Sequence, residues 1–352
     1  MREKSLSNPL LGTVKRTYDA ACGDQTGKAM AKVIRVHKVG GPEVLTLEEA
    51  EVGRPGPGEV LLRQRAIGLN YVDVYHRTGL YPQPLPFVPG SEGAGEVVAV
   101  GRRVKDFKPG DRVAYGTASG AYADERLISA DRLVKLPKSI SFNTGAAMML
   151  KGLTAQYLLR QTFKVKPGHT LLIHAAAGGV GLILCQWAKA LGAVVIATVG
   201  SPEKAALAKK AGAKHVILYR TEDFVSRVKE ITKGKLCDVV YDGVGKATFP
   251  ASLDCLKPFG LFVSFGSASG PIEGFNLGLL AQKGSLFVTR PTLFTYAGTP
   301  EALRAMTRDL FRVISSGAVQ IAIHAQYPLA DVAEAHRALE ARETTGTTVL
   351  LP

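Results

Sequence analysis

The sequence predicts an α/β protein built on a doubly wound parallel sheet, joined to a second domain rich in short strands. Three observations predict this. A glycine-rich turn, Ala176 to Gly181 (AAGGVG), lies between an apolar run and a helical stretch. Beyond it, apolar strand-like runs alternate with helical ones, as in parallel sheets whose strands are joined by crossover helices. Before it, from about 31 to 137, short runs are broken by Gly/Pro turns and carry no helical period.

Taken in order, residues 1–29 form an N-terminal extension, expected to be disordered. They hold five Lys/Arg and three Asp/Glu without sustained periodicity, whereas an organelle-targeting peptide is normally acid-poor, which leaves targeting the lesser alternative. Met30 opens a strand-like pattern, Ala31 to Val36. Glu59 to Ala66 alternates, Gly95 to Val100 is apolar, and Asp111 to Ala114 follows the turn Lys108-Pro109-Gly110. Residues 139–160 turn helical and lead into the second unit. There Thr170 to Ala175 reads as a strand buried on both faces. A helix from about Val180 to Leu191 stops at Gly192, a good left-handed terminator. Strand Val194 to Val199 follows, then helix Glu203 to Ala211, strand Val216 to Leu218 and an exposed helix near Thr221 to Thr232. Further strands run Cys237 to Tyr241, Leu261 to Phe265 and Ser285 to Thr289. Val244, Phe265, Gly266, Ser267 and Pro291 sit at or just past carboxyl ends of such strands, where sheets of this class bind ligands. The tail holds helices Pro300 to Ser316 and Leu329 to Ala341 and a closing strand, Thr347 to Leu351, placed to return to the first domain's sheet.

The glycine turn carries the first functional reading. It fits G-x-G-x-x-G with Ala at the first glycine position. Gly178 and Gly179 leave room for a pyrophosphate, and Gly181 lets the next helix pack close. The helix N-terminus faces the anion. At the tip of the second strand, where an NAD site carries Asp or Glu, the chain reads Gly200-Ser201-Pro202-Glu203-Lys204. A Ser-capped helix start with Lys204 beside it suits a ribose 2′-phosphate. Between Ser201 and Lys235 stand nine Lys/Arg against four Asp/Glu. NADPH is therefore expected over NADH, with Glu203 facing solvent or the helix dipole.

The 352 residues suffice for one or two domains with a sizeable core, and 46% are hydrophobic. No run approaches the ~20 apolar residues of a membrane span, and no secretory signal opens the chain. The net charge of +14 is spread along the chain, without a polybasic block or interleaved aromatics. That favours a basic enzyme attracting a polyanionic cofactor over a nucleic-acid or membrane partner. Cys22, Cys185, Cys237 and Cys255 are too far apart for a C-x-x-C pair. A reducing, cytoplasmic location is expected.

Together the motifs resemble the medium-chain dehydrogenase/reductase superfamily. Gly68 to Tyr75 (GLNYVDVY), Pro89 to Gly95 (PGSEGAG), Pro109 to Val113 (PGDRV) and Ala176 to Gly181 occur in that family's order. Lys151-Gly152-Leu153-Thr154 and Ser264-Phe265-Gly266 are similar to the zeta-crystallin type NADPH:quinone oxidoreductases. The likeness runs from about Ala31 to Pro352. It implies a Rossmann NADP-binding domain over 153–291 and a β-rich, GroES-like catalytic domain from 30–152 and 292–352. The zinc enzymes of that superfamily carry Cys where this chain has Asn70 and His where it has Ser91, and a four-Cys lobe that is missing here. Zinc needs three or four converging ligands, so no metal is expected.

Without a Lewis acid an alkoxide lacks a stabiliser, whereas a conjugated acceptor delocalises the charge it receives. The resemblance implies a quinone acceptor, ortho or para, with single-electron reduction as one route. It implies that Asn70, Tyr71, Asp73, Tyr75, Thr154 and Tyr157 line the nicotinamide side, with Tyr75 and Asn70 orienting the acceptor. Asp73 is expected to fix local backbone rather than titrate. On the adenosine side the matching positions are Gly179, Val180, Gly200, Ser201, Lys204, Tyr219 and Arg342, with Tyr219 near the adenine and Arg342 on the 2′-phosphate. An enal or enone double-bond reductase would use the same cleft. The resemblance also allows RNA binding, which the charge permits, or a structural, crystallin-like role. It implies a homodimer or homotetramer, with the strand near Ser285 to Thr289 extending a sheet across the boundary.

Overall fold

The structure, a computed structural model, describes residues 29–352. The extension expected over 1–29, apart from Ala29, and Cys22 lie outside the described residues. The first half carries β1 (Ala29–Arg35), β2 (Thr46–Val52), β3 (Glu59–Gly68), α1 (Tyr71–Thr78), β4 (Glu92–Val100), β5 (Arg112–Tyr115), β6 (Glu125–Ser129), β7 (Val134–Lys135) and α2 (Phe142–Tyr157). The second carries β8 (Thr170–Ile173), α3 (Gly179–Ala190), β9 (Val194–Val199), α4 (Pro202–Lys210), β10 (His215–Leu218), α5 (Phe224–Thr232), β11 (Cys237–Asp242) and β12 (Leu256–Ser264). The chain closes with α6 (Gly278–Gln282), β13 (Phe287–Thr289), α7 (Leu293–Tyr296), α8 (Pro300–Ser315), β14 (Ile323–Pro328), α9 (Val332–Glu340) and β15 (Thr347–Leu351).

The strands form the expected doubly wound sheet, six strands in the order β10-β9-β8-β11-β12-β13, all parallel. The order doubles back at β8, which puts the glycine turn at the switch point between β8 and β11. Leu171, Leu172 and Ile173 of β8 are fully buried, as a central strand covered on both faces requires. Gly192 ends the α3 connection at φ 77. A Cβ on Gly181 would lie 2.5 Å from the Ala175 carbonyl oxygen, so glycine there lets α3 start against the turn.

The other strands form a seven-stranded sheet: β14-β15-β3-β4-β5-β7 in order, with β6 on β3. A separate β1–β2 ribbon lies beside it. The closing strand does return, pairing antiparallel with β3 through Val349 and Leu350. Helix α2 packs on β3, β4 and β15 and also on α3 and α8. Its fully buried Ala146, Ala147, Met148 and Met149 belong to one core that runs through both sheets.

Three elements depart from the sequence pattern. Helix α1, YVDVYHRT, has little intrinsic helix propensity. Its ends are held instead by Asp73 Oδ2, which accepts the Asn70 N–H (2.9 Å), and by Gly79 at φ 82. Strand β12 starts five residues early because Phe259 adopts φ 62 and a register shift against β11 hides the alternation. Strand β14 is half exposed and pairs parallel with β15. Among the described residues no helix is long and apolar enough to cross a membrane.

Candidate functional site

A cavity of about 300 Å³ opens at the carboxyl ends of β8, β9 and β11. Tyr71, Gly178, Gly200, Lys204, Tyr219, Val244 and Arg342 line it, together with His174, Thr198, Thr248 and Ala268, which the sequence reading had passed over. Gly178 presents an open face, a Cβ there meeting nothing nearer than the Ala175 carbonyl oxygen at 3.3 Å. At Gly179, the first residue of α3, the Cβ direction is filled by the Lys151 stem, with Cδ at 2.7 Å. The glycine therefore makes room for a protein side chain as well as for a ligand. Val180 follows it, half-buried.

Positive charge gathers at the tip of β9. The Lys204 ammonium donates to the Arg342 carbonyl (2.6 Å), which ties α4 to the segment after α9. Burial, and then the guanidinium groups of Arg220 and Arg342, hold the Lys204 pKa below its usual value. Arg220 is a site residue the sequence reading missed. Its Nε lies 3.5 Å from where a Gly200 Cβ would be, and the Tyr219 hydroxyl lies 2.7 Å from the same point. Among the described residues none of the three cations has a carboxylate partner. Mutually repelling cations around a cavity mouth suit a phosphate monoester. Ser201 is committed to the helix start: its Oγ accepts the Lys204 N–H (3.3 Å) and its hydroxyl bonds the exposed Glu203, whose pKa is lowered. Glu203 thus serves the cap, outside the cluster of cations.

Below the cavity, His174 is buried and neutral. Its ring nitrogens meet Thr198 Oγ1 (2.9 Å) and Ser252 Oγ (3.0 Å), and burial lowers its pKa. Asp242 accepts the Val244 N–H (2.6 Å) and the Thr248 hydroxyl (2.6 Å), shaping the loop after β11.

The second half of the site sits on α1. Asn70 is 5% exposed; its Nδ2 donates to Glu92 Oε1 (2.9 Å) and to the Gly68 carbonyl (3.3 Å). Asp73 accepts the Asn70 N–H at the start of α1. Burial raises its pKa to about 7, against the lowering effect of its bonds from Asn70 N–H and the Tyr122 hydroxyl (2.9 Å). A charge buried this deeply stays costly even with two donors.

Tyr75 Oη accepts the Ser267 N–H at 2.8 Å, and Tyr71 donates to the Ala268 carbonyl at 3.3 Å. These bonds clasp α1 to the loop after β12 that carries Phe265, Gly266 and Ser267. Gly266 passes so close to Gly243 that a Cβ would lie 2.6 Å from its carbonyl oxygen. Burial raises the Tyr75 pKa. The hydroxyl keeps its proton at neutral pH and, while accepting from Ser267, can still donate it. Tyr81 packs edge-on against Tyr75 with centroids 5.0 Å apart, and its hydroxyl accepts from Arg290 (2.7 Å). Arg290, just before Pro291, was also missed; it bonds the Ser264 carbonyl (2.8 Å) and has no acidic partner among the described residues. Thr154 and Tyr157 are buried on α2, where Tyr157 stacks on Tyr296 at 4.5 Å.

The donor set at the superfamily's metal position does not fit zinc. The Asn70 amide presents one N–H to Glu92 and the other to the Gly68 carbonyl, and the Lys151 ammonium is ion-paired to the Glu92 carboxylate. Among the described residues no three His, Cys, Asp or Glu side chains converge as metal ligands.

The zinc-binding dehydrogenase profile matches residues 179–308, and the alcohol dehydrogenase GroES-like domain profile matches residues 56–138. The chain is 58% identical to the quinone oxidoreductase of Pseudomonas aeruginosa over 325 residues, covering 92% of this chain and 100% of that one. It is 47% identical over 332 residues to the 2-haloacrylate reductase of a Burkholderia species, covering 92% and 99%. The structure matches that of Escherichia coli quinone oxidoreductase complexed with NADPH at a TM-score of 0.90 and 52% identity, covering 91% of this chain and 100% of that one.

Proposed function

The chain belongs to the quinone oxidoreductases of the medium-chain dehydrogenase/reductase superfamily, and on that footing we propose that it reduces a quinone with NADPH, using no metal. The observation that carries the cofactor choice is the cluster of Lys204, Arg220 and Arg342 at the tip of β9, where no carboxylate among the described residues lines the cavity to receive a ribose 2′-OH. Tyr219 would wall the adenine, and the bare turn at Gly178 would leave room for the pyrophosphate. When bound, NADPH supplies the hydride. Asn70, Tyr71 and Tyr75 would hold the nicotinamide and acceptor end, and the Tyr75 hydroxyl, which accepts from the Ser267 N–H, would donate to the acceptor oxygen. The α1 clasp onto Ser267 and Ala268 keeps water from that end.

We divide the chain as the two sheets suggest: a GroES-like catalytic domain over 30–152 and 292–352, and a Rossmann domain over 153–291. The boundary near 152 falls inside α2, so that helix serves both. We infer a homodimer through β13. It is the outer strand of the parallel sheet, and its Phe287 and Val288 are exposed, an apolar edge that a second copy would cover. Three buried free thiols, Cys185, Cys237 and Cys255, support a cytoplasmic location. The test of function is NADPH oxidation with 1,4-naphthoquinone and with a 2-alkenal, each repeated with a chelator. Quinone turnover that survives chelation is expected. Preference for the alkenal would assign the enone reaction, and loss with chelator would overturn the metal-free reading.

A further inference from the structure

We propose that Lys151 is a positioning residue for hydride transfer. Acting through Glu92, it locks the Asn70 side-chain amide with its oxygen as the group offered to the nicotinamide, and so decides which face of that ring meets the acceptor. This rests on the placement of Asn70 at the nicotinamide end.

Lys151 sits on α2 in an apolar stretch and is 5% exposed. Its stem runs under the first residue of α3, its Cδ and Cε 2.7 and 3.0 Å from the Gly179 Cβ position. Its ammonium ends on Glu92 Oε1. Glu92 has no solvent exposure. Besides Lys151 it receives Asn70 Nδ2 on Oε1 (2.9 Å) and the Leu150 N–H on Oε2 (2.7 Å). Its two carboxylate oxygens thus meet an ammonium and two N–H donors, and a carboxylate oxygen offers Asn70 an acceptor. It therefore selects the NH2 end of Asn70. The second amide hydrogen goes to the Gly68 carbonyl. Both hydrogens are then engaged, and the side chain has only Oδ1 to offer.

The consequence is geometric. The carboxamide of a nicotinamide lies off the glycosidic axis. Turning the ring by a half rotation exchanges its two faces and carries the carboxamide to the other side. An acceptor fixed at Asn70 Oδ1 bonds the carboxamide NH2 in one orientation only. Without the lysine, the Glu92 carboxylate would lose the partner that holds it in place, the Asn70 amide could flip, and both ring faces would become available. The stem under Gly179 makes the same lysine a brace for the start of α3, so one side chain ties the pyrophosphate turn to the ring end.

Three variants test this: Lys151→Met, Glu92→Gln and the two combined. Either single change can leave a buried charge unpaired and unfold the protein; the double change removes both charges and keeps similar volumes. Binding of NADPH and of its fragment 2′-phospho-ADP-ribose is measured by calorimetry on each folded variant. The double variant should lose about three- to tenfold in NADPH affinity, the scale of one hydrogen bond, and nothing in fragment affinity. With NADPH deuterated on one face of C4, wild type should transfer from a single face and the double variant from both. Unmodified protein free of NADPH supplies a third readout: the Asn70 side-chain amide hydrogens should exchange at least tenfold more slowly than those of a free asparagine. A folded double variant with wild-type binding ratio and single-face transfer overturns the proposal. So does fast Asn70 exchange in the wild type, whatever the variants do. Wild type that binds NADPH no better than the fragment, or reduces no quinone, would instead sink the function on which the proposal stands.

Discussion

Replacing Arg220 by alanine should cut the preference for NADPH over NADH while slightly stabilising the cofactor-free protein. A phosphate monoester carries about −1.5 to −2 charges at neutral pH. A guanidinium about 5 Å from it contributes roughly 1–2 kcal/mol at the high effective dielectric of an exposed side chain. That corresponds to about a 5- to 30-fold loss. The loss should fall on KM for NADPH, because the 2′-phosphate lies far from the reacting ring and binds ground and transition states alike. The NADH parameters should not move. The effect should shrink between 0.1 M and 1 M salt, where the screening length drops from about 10 Å to about 3 Å. The gain in stability has a separate origin. Burial, Arg220 and Arg342 together depress the Lys204 pKa, so removing Arg220 relieves repulsion that only the ligand would otherwise neutralise. Steady-state kinetics with both nucleotides and thermal melts without them check the two halves. An NADPH KM within twofold of wild type, or an equal loss with NADH, would refute the electrostatic argument.

Tyr75→Phe keeps the ring between Tyr71 and Tyr81 (centroids 5.5 and 5.0 Å) but removes the oxygen that meets Ser267. The kcat for quinone should drop about tenfold with the NADPH dissociation constant little changed; an unaltered kcat would take Tyr75 out of the reaction. Asp73 makes stability depend on pH. Its folded pKa of about 7 lies above the ordinary 3.8, so between about pH 4 and pH 7 the folded state holds a proton that the unfolded chain has released. This carboxyl's contribution therefore falls as pH rises through that window and levels off above it. Urea midpoints at pH 5 and pH 8 should differ less in Asp73→Asn than in wild type, and an identical difference would count against the raised pKa. Phe287→Glu puts a charge on the exposed edge of β13 and should yield monomers in light scattering; an unchanged mass would move the interface elsewhere.

The sequence announces what backbone periodicity encodes. The buried run into β8, the glycine turn and the Gly192 terminator are local signals, and each stands within a residue or two of its expected place. The cations at the mouth were half legible. Lys204 was readable because it follows a strand tip and a helix cap. Arg220 was not, because its proximity arises from parallel pairing: Leu218 lies opposite Val199, so the residue two past β10 arrives beside Gly200. That signal was available in principle, as two adjacent strand tips both followed by basic residues.

The polar interior around α1 could not have been read by spacing, because its logic is directional and assembled from distant segments. The Arg77 guanidinium can only donate, so His336 Nδ1 must accept (3.1 Å). His336 then carries its proton on Nε2 and donates to Tyr122 Oη (3.1 Å), and the Tyr122 proton is directed to Asp73. Burial, then Arg77, lower the His336 pKa to about 3, so the ring stays neutral, and the direction holds where Asp73 is ionised, above its raised pKa of about 7. Each partner is buried and each bond has one permitted sense, so changing one member misdirects the rest. Arg77 is further anchored to Glu340 at the end of α9, two residues before Arg342 at the cavity. The helix that carries Asn70, Tyr71 and Tyr75 at its start is thus tied to the segment that carries Arg342 by the polarity of a single row of hydrogen bonds. A row of this kind leaves no periodic trace: its members fall on α1, the segment before β6, and α9, and what relates them is the one sense in which each proton can point.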